Sequence, residues 1–396
     1  MKLLSVEDAR ARMLAQVAPL PAETVPLANA AGRVLAEDIA AHRDQPPFAA
    51  SAMDGWAVRA ADTPGELRIV GESAAGHGYE AAMQAGEAVR IFTGAAMPDG
   101  AEAVVIQENA TRIEDRVQVP SAAAGANVRP RGGDFLAGEA LLSKGVRLDA
   151  WRLSLAASAG RAQVLAARRP RVAVLSTGEE IVEAPAEPGP FQIYNSGAPA
   201  LAMMIEAWGG EAIRRRPVHD ELQATIAAIA EADADLVVTV GGASVGDHDL
   251  VRAAATALGL QPVVESVAVR PGKPTFFGTL GDGRRFLGLP GNPASAFVCA
   301  ELFLRPVLAA FQGADPALPI VSAKAAEPLG ANGPREHWMR ARLSFEAGEL
   351  RASPYRDQDS SLVGIFAQAD ALLRRPPGAP AVAVGGLVEV LPLARA

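Results

Sequence analysis

The chain has 396 residues, 49% of them hydrophobic and 5% aromatic, with a formal net charge of −8. That length holds about two to four domains, and the hydrophobic share excludes a disordered chain. The acidic balance argues against a general nucleic-acid binder, and a single cysteine, Cys299, excludes an internal disulfide or a cysteine metal site.

Ser5-Val-Glu-Asp8 resembles a capping box and predicts a helix over Ala9 to Val17, ended by Pro19 and Pro21. Glu7, Asp8, Arg10 and Arg12 stand where a signal peptide needs an apolar stretch. No run reaches the ~18 apolar residues of a membrane span, so a soluble, cytoplasmic chain is expected. Asn29 to Leu35 reads as another helical piece. Short alternating runs follow (Leu67–Val70, Ala88–Phe92, Ala103–Ile106, Arg116–Val119), separated by Gly, Pro and Asp, and make a β-rich module. Trp151 to Ala159 reads as helical again, which suggests that the β module is inserted between helical pieces.

Beyond Arg168-Arg-Pro170 the pattern becomes α/β. Val172–Leu175 and Leu236–Val240 read as strands, and Ala198–Trp208, Leu222–Glu231 and Leu250–Leu258 as helices. Val263–Val269, Thr275–Phe277 and Arg285–Leu287 read as extended, followed by a helix from Ser295. Such alternation implies a mostly parallel sheet with its ligand at the C-terminal strand ends. Cys299 falls in the last helix and reads as a core residue. From Ala314 a Pro-rich linker leads to short strands (Met339–Phe345, Leu350–Ala352, Val382–Val384, Leu387–Leu391). The expected division is 1–44 with 141–168, an inserted module 45–140, an α/β domain 169–313 and a small β-barrel-like domain 314–396.

Three polar turns carry the functional signal. Gly241-Gly-Ala-Ser-Val-Gly-Asp-His-Asp249 joins a strand to a helix, where unpaired N–H groups form an anion pocket. It is neither a Walker loop nor a dinucleotide fingerprint. Ser244 can donate to an anion, and Asp247 and Asp249 can bind a cation or cap the helix. Arg270-Pro-Gly-Lys-Pro274 fixes two cations on a stiff turn. In Leu289-Pro-Gly-Asn-Pro293, Asn292 and Pro293 suit a helix cap and first turn, and the N–H groups beyond can meet a phosphate. Ser176-Thr-Gly-Glu-Glu180 ends the first strand of the α/β domain, and Glu180 can ligate a divalent ion. The scattered histidines show no zinc-site spacing, and no Ser-His-Asp order stands out.

Together with Ser51-Ala-Met-Asp-Gly-Trp-Ala57, Phe92-Thr-Gly-Ala95, Arg131-Gly-Gly-Asp134 and Ile193-Tyr-Asn-Ser196, these strings resemble the molybdopterin molybdenumtransferase family, whose eukaryotic relatives include the C-terminal domain of gephyrin. The strings stand in the family's order from position 51 to 293. The resemblance implies an elongated, four-part protomer that dimerises, with its active site across the interface. It implies insertion of molybdenum from molybdate into adenylyl-molybdopterin, with release of AMP and a requirement for Mg²⁺. It assigns Asp54, Thr93, Asp134, Glu180, Asp220 and Asp249 to catalysis, with Asp54, Glu180 and Asp249 as Mg²⁺ ligands. It assigns Ser176, Thr177, Gly178, Gly241, Gly242, Ser244, Asp247, Arg270, Lys273, Pro274, Pro290, Asn292, Pro293, Arg340 and Ser360 to substrate and anion binding. The adenylyltransferase of the same pathway and molybdoenzyme acceptors are the partners it suggests, with neither nucleic acid nor membrane. Two departures stand out: Gly197 follows Ser196 where the family often has Asn, and Arg270 precedes Pro271 where Lys is common. The alternatives are a molybdopterin adenylyltransferase, which consists of the α/β domain alone, and a non-catalytic scaffold, which has no need of the acidic and basic residues.

Overall fold

A computed structural model describes residues 3–241 and 250–393. The chain divides into two compact units: Met1–Thr24 with Gly32–Ala36 and Leu165–Ala396, and Val25–Ala31 with Glu37–Val164.

The larger unit is built on a six-stranded sheet. From one edge its strands run Glu211–Arg214, Arg171–Ser176, Leu236–Val240, Arg285–Leu289, Phe276–Thr279 and Gln261–Val264. The first four are parallel to one another and the last two antiparallel to their neighbours. Leu236–Val240 is buried along its whole length, as an uninterrupted β-branched run in a doubly covered strand must be. Alternate residues feed two cores. Val172, Val174, Val238 and Leu287 face the helices Gly197–Ala207 and Pro293–Cys299, whereas Ala173, Leu175, Val237 and Phe286 face Leu222–Ala230 and Leu250–Ala257.

The helix Val6–Leu14 starts at Ser5, whose hydroxyl accepts the Asp8 N–H at 3.0 Å. Its apolar stripe of Val6, Ala9 and Met13 packs into the first of those cores. The unit that holds the α/β sheet includes this stretch. Asn29–Leu35 is not a helix. A 3₁₀ turn covers Leu27–Asn29, and Gly32 at φ 72° stops any continuation.

Pro293–Phe311 forms 19 continuous helical residues, apolar enough by composition to cross a membrane, so the expectation that no run reaches that length is corrected. It is 83% buried within the chain, however, and serves as the central core helix. Cys299 lies in it, fully buried, and burial pushes its thiol up to about 12, as suits a packing residue.

The C-terminal strands Val321–Ala325, Glu336–Glu346, Glu349–Pro354, Ala371–Arg375 and Leu387–Pro392 close into a barrel, because Glu336–Glu346 pairs with both Glu349–Pro354 and Ala371–Arg375. Val382–Val384 is not a strand; only Val382 makes a bridge, to Leu329. A short strand, Val269–Arg270, adds to the barrel through Glu336 and His337.

The smaller unit carries a six-stranded sheet in the order Ala103–Ile106, Gly55–Val58, Glu87–Ile91, Gly65–Ser73, Arg116–Val119 and Thr111–Ile113. Leu67, Ala88, Val105 and Val117 supply part of its core. Its helix Ala150–Ser158 is capped by Asp149, which accepts the Arg152 N–H at 2.9 Å.

Candidate functional site

Three neighbouring parallel strands end at Ser176, Val240 and Leu289, and the turns beyond them open onto a cavity of about 800 Å³. Its wall includes Ser176, Thr177, Gly178, Glu180, Asp220, Gly241, Lys273, Pro274, Pro290, Asn292 and Pro293. Eleven of the expected site residues therefore share one cavity. The turns approach backbone to backbone. At Gly241 (φ 101°) a Cβ would stand 2.6 Å from the Thr177 carbonyl oxygen. Thr177 itself is buried, and its hydroxyl has no hydrogen-bond partner among the described residues. Such a group costs about 1–3 kcal/mol until a ligand satisfies it.

The basic turn is held by packing from below. Gly272 (φ 117°) lies so close to Cys299 that a Cβ would meet the sulfur at 2.1 Å. Thr275 Oγ1 bridges this contact, donating to the Gly272 carbonyl at 2.8 Å and lying 3.1 Å from Cys299 Sγ. Gly272→Ala therefore meets both a left-handed backbone and a filled core. We expect it to cost more than about 2 kcal/mol, read as a fall in the denaturation midpoint with unchanged slope. The turn leaves Arg270 and Lys273 exposed and without an ion-pair partner among the described residues. Lys273 faces the cavity, whereas Arg270 is not on its wall.

Arg270 pairs in register with His337, which is only 8% exposed. Burial, reinforced by Arg270, Arg340, Arg335 and Arg375, pushes the imidazole down to about 4 from an ordinary 6.5. Between these values the unfolded chain binds the proton and the folded chain does not. Stability is therefore lost as pH falls from 6.5 towards 4, by an amount on the order of 3 kcal/mol. Denaturant titrations across that window should show a shallower loss in His337→Gln than in the unsubstituted chain.

Asn195 organises the opposite wall. Its Nδ2 donates to Ser176 Oγ at 3.1 Å and to Glu183 at 2.8 Å, and its Oδ1 accepts the Ala198 N–H at 3.2 Å. It so ties the end of the first strand to the start of the helix Gly197–Ala207. Gly197 fits closely here, since a Cβ would lie 3.2 Å from Val240. Ile181, Ile193 and Tyr194 add an apolar shelf to the cavity wall. Sequence reasoning gave none of these a role, although Asn195 stands inside one of the matching strings.

Arg340 and Ser360 are not on the cavity wall. Arg340 is completely buried and donates to the carbonyls of Gln358 (3.2 Å) and Asp359 (2.7 Å). Burial pushes its guanidinium below the usual range. It thereby holds the loop in which Ser360 accepts from Asn292 Nδ2 at 2.8 Å and, through its carbonyl, from the Ala294 N–H at 3.1 Å. That N–H, expected to meet a phosphate, is already committed. The loop puts Ser361 and Val363 on the wall instead.

Asp54, Thr93 and Asp134 belong to the smaller unit. Asp54 Oδ1 accepts the Thr93 N–H at 2.7 Å and its hydroxyl at 2.9 Å. These two bonds, then the Arg90 charge, hold the Asp54 carboxyl below the usual range. Asp134 is exposed, its own N–H bonded to the Gln45 carbonyl. Gly242, Ser244, Asp247 and Asp249 lie outside the described residues. Among the described residues no three His, Cys, Asp or Glu side chains come together as a metal cage.

Comparison with known proteins matches residues 4–160 to the MoeA N-terminal region (domain I and II), 173–310 to a probable molybdopterin binding domain and 322–393 to the MoeA C-terminal region (domain IV). The molybdopterin molybdenumtransferase of Staphylococcus epidermidis is 31% identical, over 98% of this chain and 95% of its own. That of Staphylococcus aureus is 30% identical with the same coverage. A crystal structure of the molybdopterin biosynthesis MoeA protein from Pyrococcus horikoshii superposes with a TM-score of 0.85 at 27% identity, covering 99% of this chain and 100% of that one. A further structure of that description gives 0.83 at 31% identity, covering 99% of both chains. With relatives matched end to end and all three regions in order, the chain belongs to the molybdopterin molybdenumtransferase (MoeA) family.

Proposed function

We propose that the chain inserts molybdenum from molybdate into adenylyl-molybdopterin, releasing AMP, in the last step of molybdenum cofactor biosynthesis. The observation that carries this reading is the cavity at the parallel strand ends, where Lys273, without an ion-pair partner among the described residues, stands among hydroxyl and amide donors. Molybdate is a dianion and the nucleotide substrate carries phosphates, so both need a cation and fixed donors. Ser176, oriented by Asn195, and Thr177 supply hydroxyls. The apolar shelf of Ile181, Ile193 and Tyr194 suits a planar heterocycle.

Mg²⁺ belongs to this proposal. Glu180 and Asp220 offer oxygen donors on the wall, and Mg²⁺ commonly combines one or two carboxylates with substrate phosphates and water. When bound, the ion would neutralise phosphate charge. A homodimer is also proposed, in which Asp54, Thr93 and Asp134 of one copy serve the cavity of the other. A cytoplasmic location, and encounters with the preceding adenylyltransferase and with acceptor apoenzymes, complete the reading.

An adenylyltransferase needs only the α/β domain, and this chain matches the family's N- and C-terminal regions as well. A scaffold has no use for the exposed cations and oriented donors. The purified chain, given adenylyl-molybdopterin, Mg²⁺ and molybdate, is expected to activate a molybdenum-free apoenzyme. Activation that is unchanged when the chain is omitted contradicts the proposal.

A further inference from the structure

Arg90 has no part in the reading above, yet it stands directly behind the Asp54–Thr93 corner. In the antiparallel pairing of Gly55–Val58 with Glu87–Ile91 it lies opposite Trp56. Its Nη1 donates to the Gly55 carbonyl at 2.9 Å, and its Nη2 to Gln107 Oε1 at 2.6 Å. The Gln107 N–H in turn donates to the Asp54 carbonyl at 3.0 Å. The carbonyls of Asp54 and Gly55 are thus both held by the Arg90–Gln107 pair.

The guanidinium is itself fixed, with its carbon 5.3 Å from the Trp56 ring centroid and 4.8 Å from that of Phe92. Phe92 directly precedes Thr93, which gives both its donors to Asp54 Oδ1. One side chain therefore braces the residue after the carboxylate and the residue before its partner. No carboxylate pairs with Arg90 among the described residues.

We infer that Arg90 is a positioning residue for metal insertion, which fixes the backbone at Asp54 and Gly55 through a rigid fork held between two aromatic rings. The inference rests on the reading that Asp54 takes part in the reaction. An arginine kept only to fill the space between two rings could be replaced by methionine without kinetic effect. Lysine would then be no better than methionine.

The test compares full-length Arg90→Met, Arg90→Lys, Gln107→Ala and Asp54→Ala by AMP release from adenylyl-molybdopterin with Mg²⁺ and molybdate. Arg90→Met is expected to lower kcat roughly 10- to 100-fold with a smaller change in KM, as loss of a ligand-orienting partner does. Arg90→Lys, which keeps a donor for the Gly55 carbonyl but not the fork, should restore part of kcat. Wild-type kcat in Arg90→Met overturns the inference. If Arg90→Met does not fold, wild-type kcat in both Arg90→Lys and Gln107→Ala overturns it. Asp54→Ala separates the two levels. Full turnover there removes the reading beneath the inference, whereas an inactive Asp54→Ala beside a normal Arg90→Met removes the inference alone.

Discussion

Asp54→Ala is expected to fold normally and to lose molybdenum insertion by a factor on the order of 10³ or more, the range for a positioned acid, base or ligand. The folding half follows from exposure. The carboxylate is only half-buried, and its donors, the N–H and hydroxyl of the exposed Thr93, turn to water when it is removed. Backbone bonds from Gln107 to Asp54 and from Arg90 to Gly55 remain. The functional half follows from charge. Two donors and a nearby cation hold the carboxyl below its ordinary range, so it is ionised at neutral pH and available to a cation. Thermal melts coinciding with the parent, together with kcat from AMP release, check both halves. Undiminished turnover removes Asp54 from the site.

Lys273→Ala is expected to weaken molybdate binding by roughly 10- to 100-fold, the value of one charge-assisted contact. Lys273 is exposed, faces the cavity and has no hydrogen-bond or ion-pair partner among the described residues, so its loss leaves none of their buried groups unsatisfied. The turn beneath it is fixed independently by Gly272 against Cys299 and by the Thr275 hydroxyl. Lys273→Arg keeps the charge and should retain part of the affinity. Calorimetric titration with molybdate at two salt concentrations checks this, since an exposed cation loses its pull as screening rises. An unchanged dissociation constant in Lys273→Ala excludes the basic turn as the oxyanion site.

Much of this was legible in the chain because local pattern and tertiary demand agree. The Leu236–Val240 run reads as a buried strand, and the sheet covers it on both faces. Ser5 reads as a cap and accepts the Asp8 N–H. The polar turns at 176–180 and 289–293 read as neighbours because parallel strands with helical crossovers bring their ends together. What escaped depends on partners far along the chain. Gly55–Val58 is not among the runs that read as strands, since the glycine after Asp54 masks a strand that four consecutive buried residues and two flanking strands create. The stripe of Val6, Ala9 and Met13 announces a helix but not the sheet that receives it. Arg340 comes to the site only through the resemblance, and the sequence does not show that it is buried in the barrel with its guanidinium on a loop carbonyl. Asn195 sits in a short unremarkable string, and only the fold shows that it joins Ser176, Glu183 and Ala198.

The most direct test of the central claim is AMP release when the purified chain meets adenylyl-molybdopterin and Mg²⁺, with and without molybdate. The account predicts stoichiometric release that depends on molybdate and falls away in Asp54→Ala and, at limiting molybdate, in Lys273→Ala. Release that is the same without molybdate, or none while the intermediate stays bound, would contradict a metal-inserting enzyme and point to a hydrolase or a carrier.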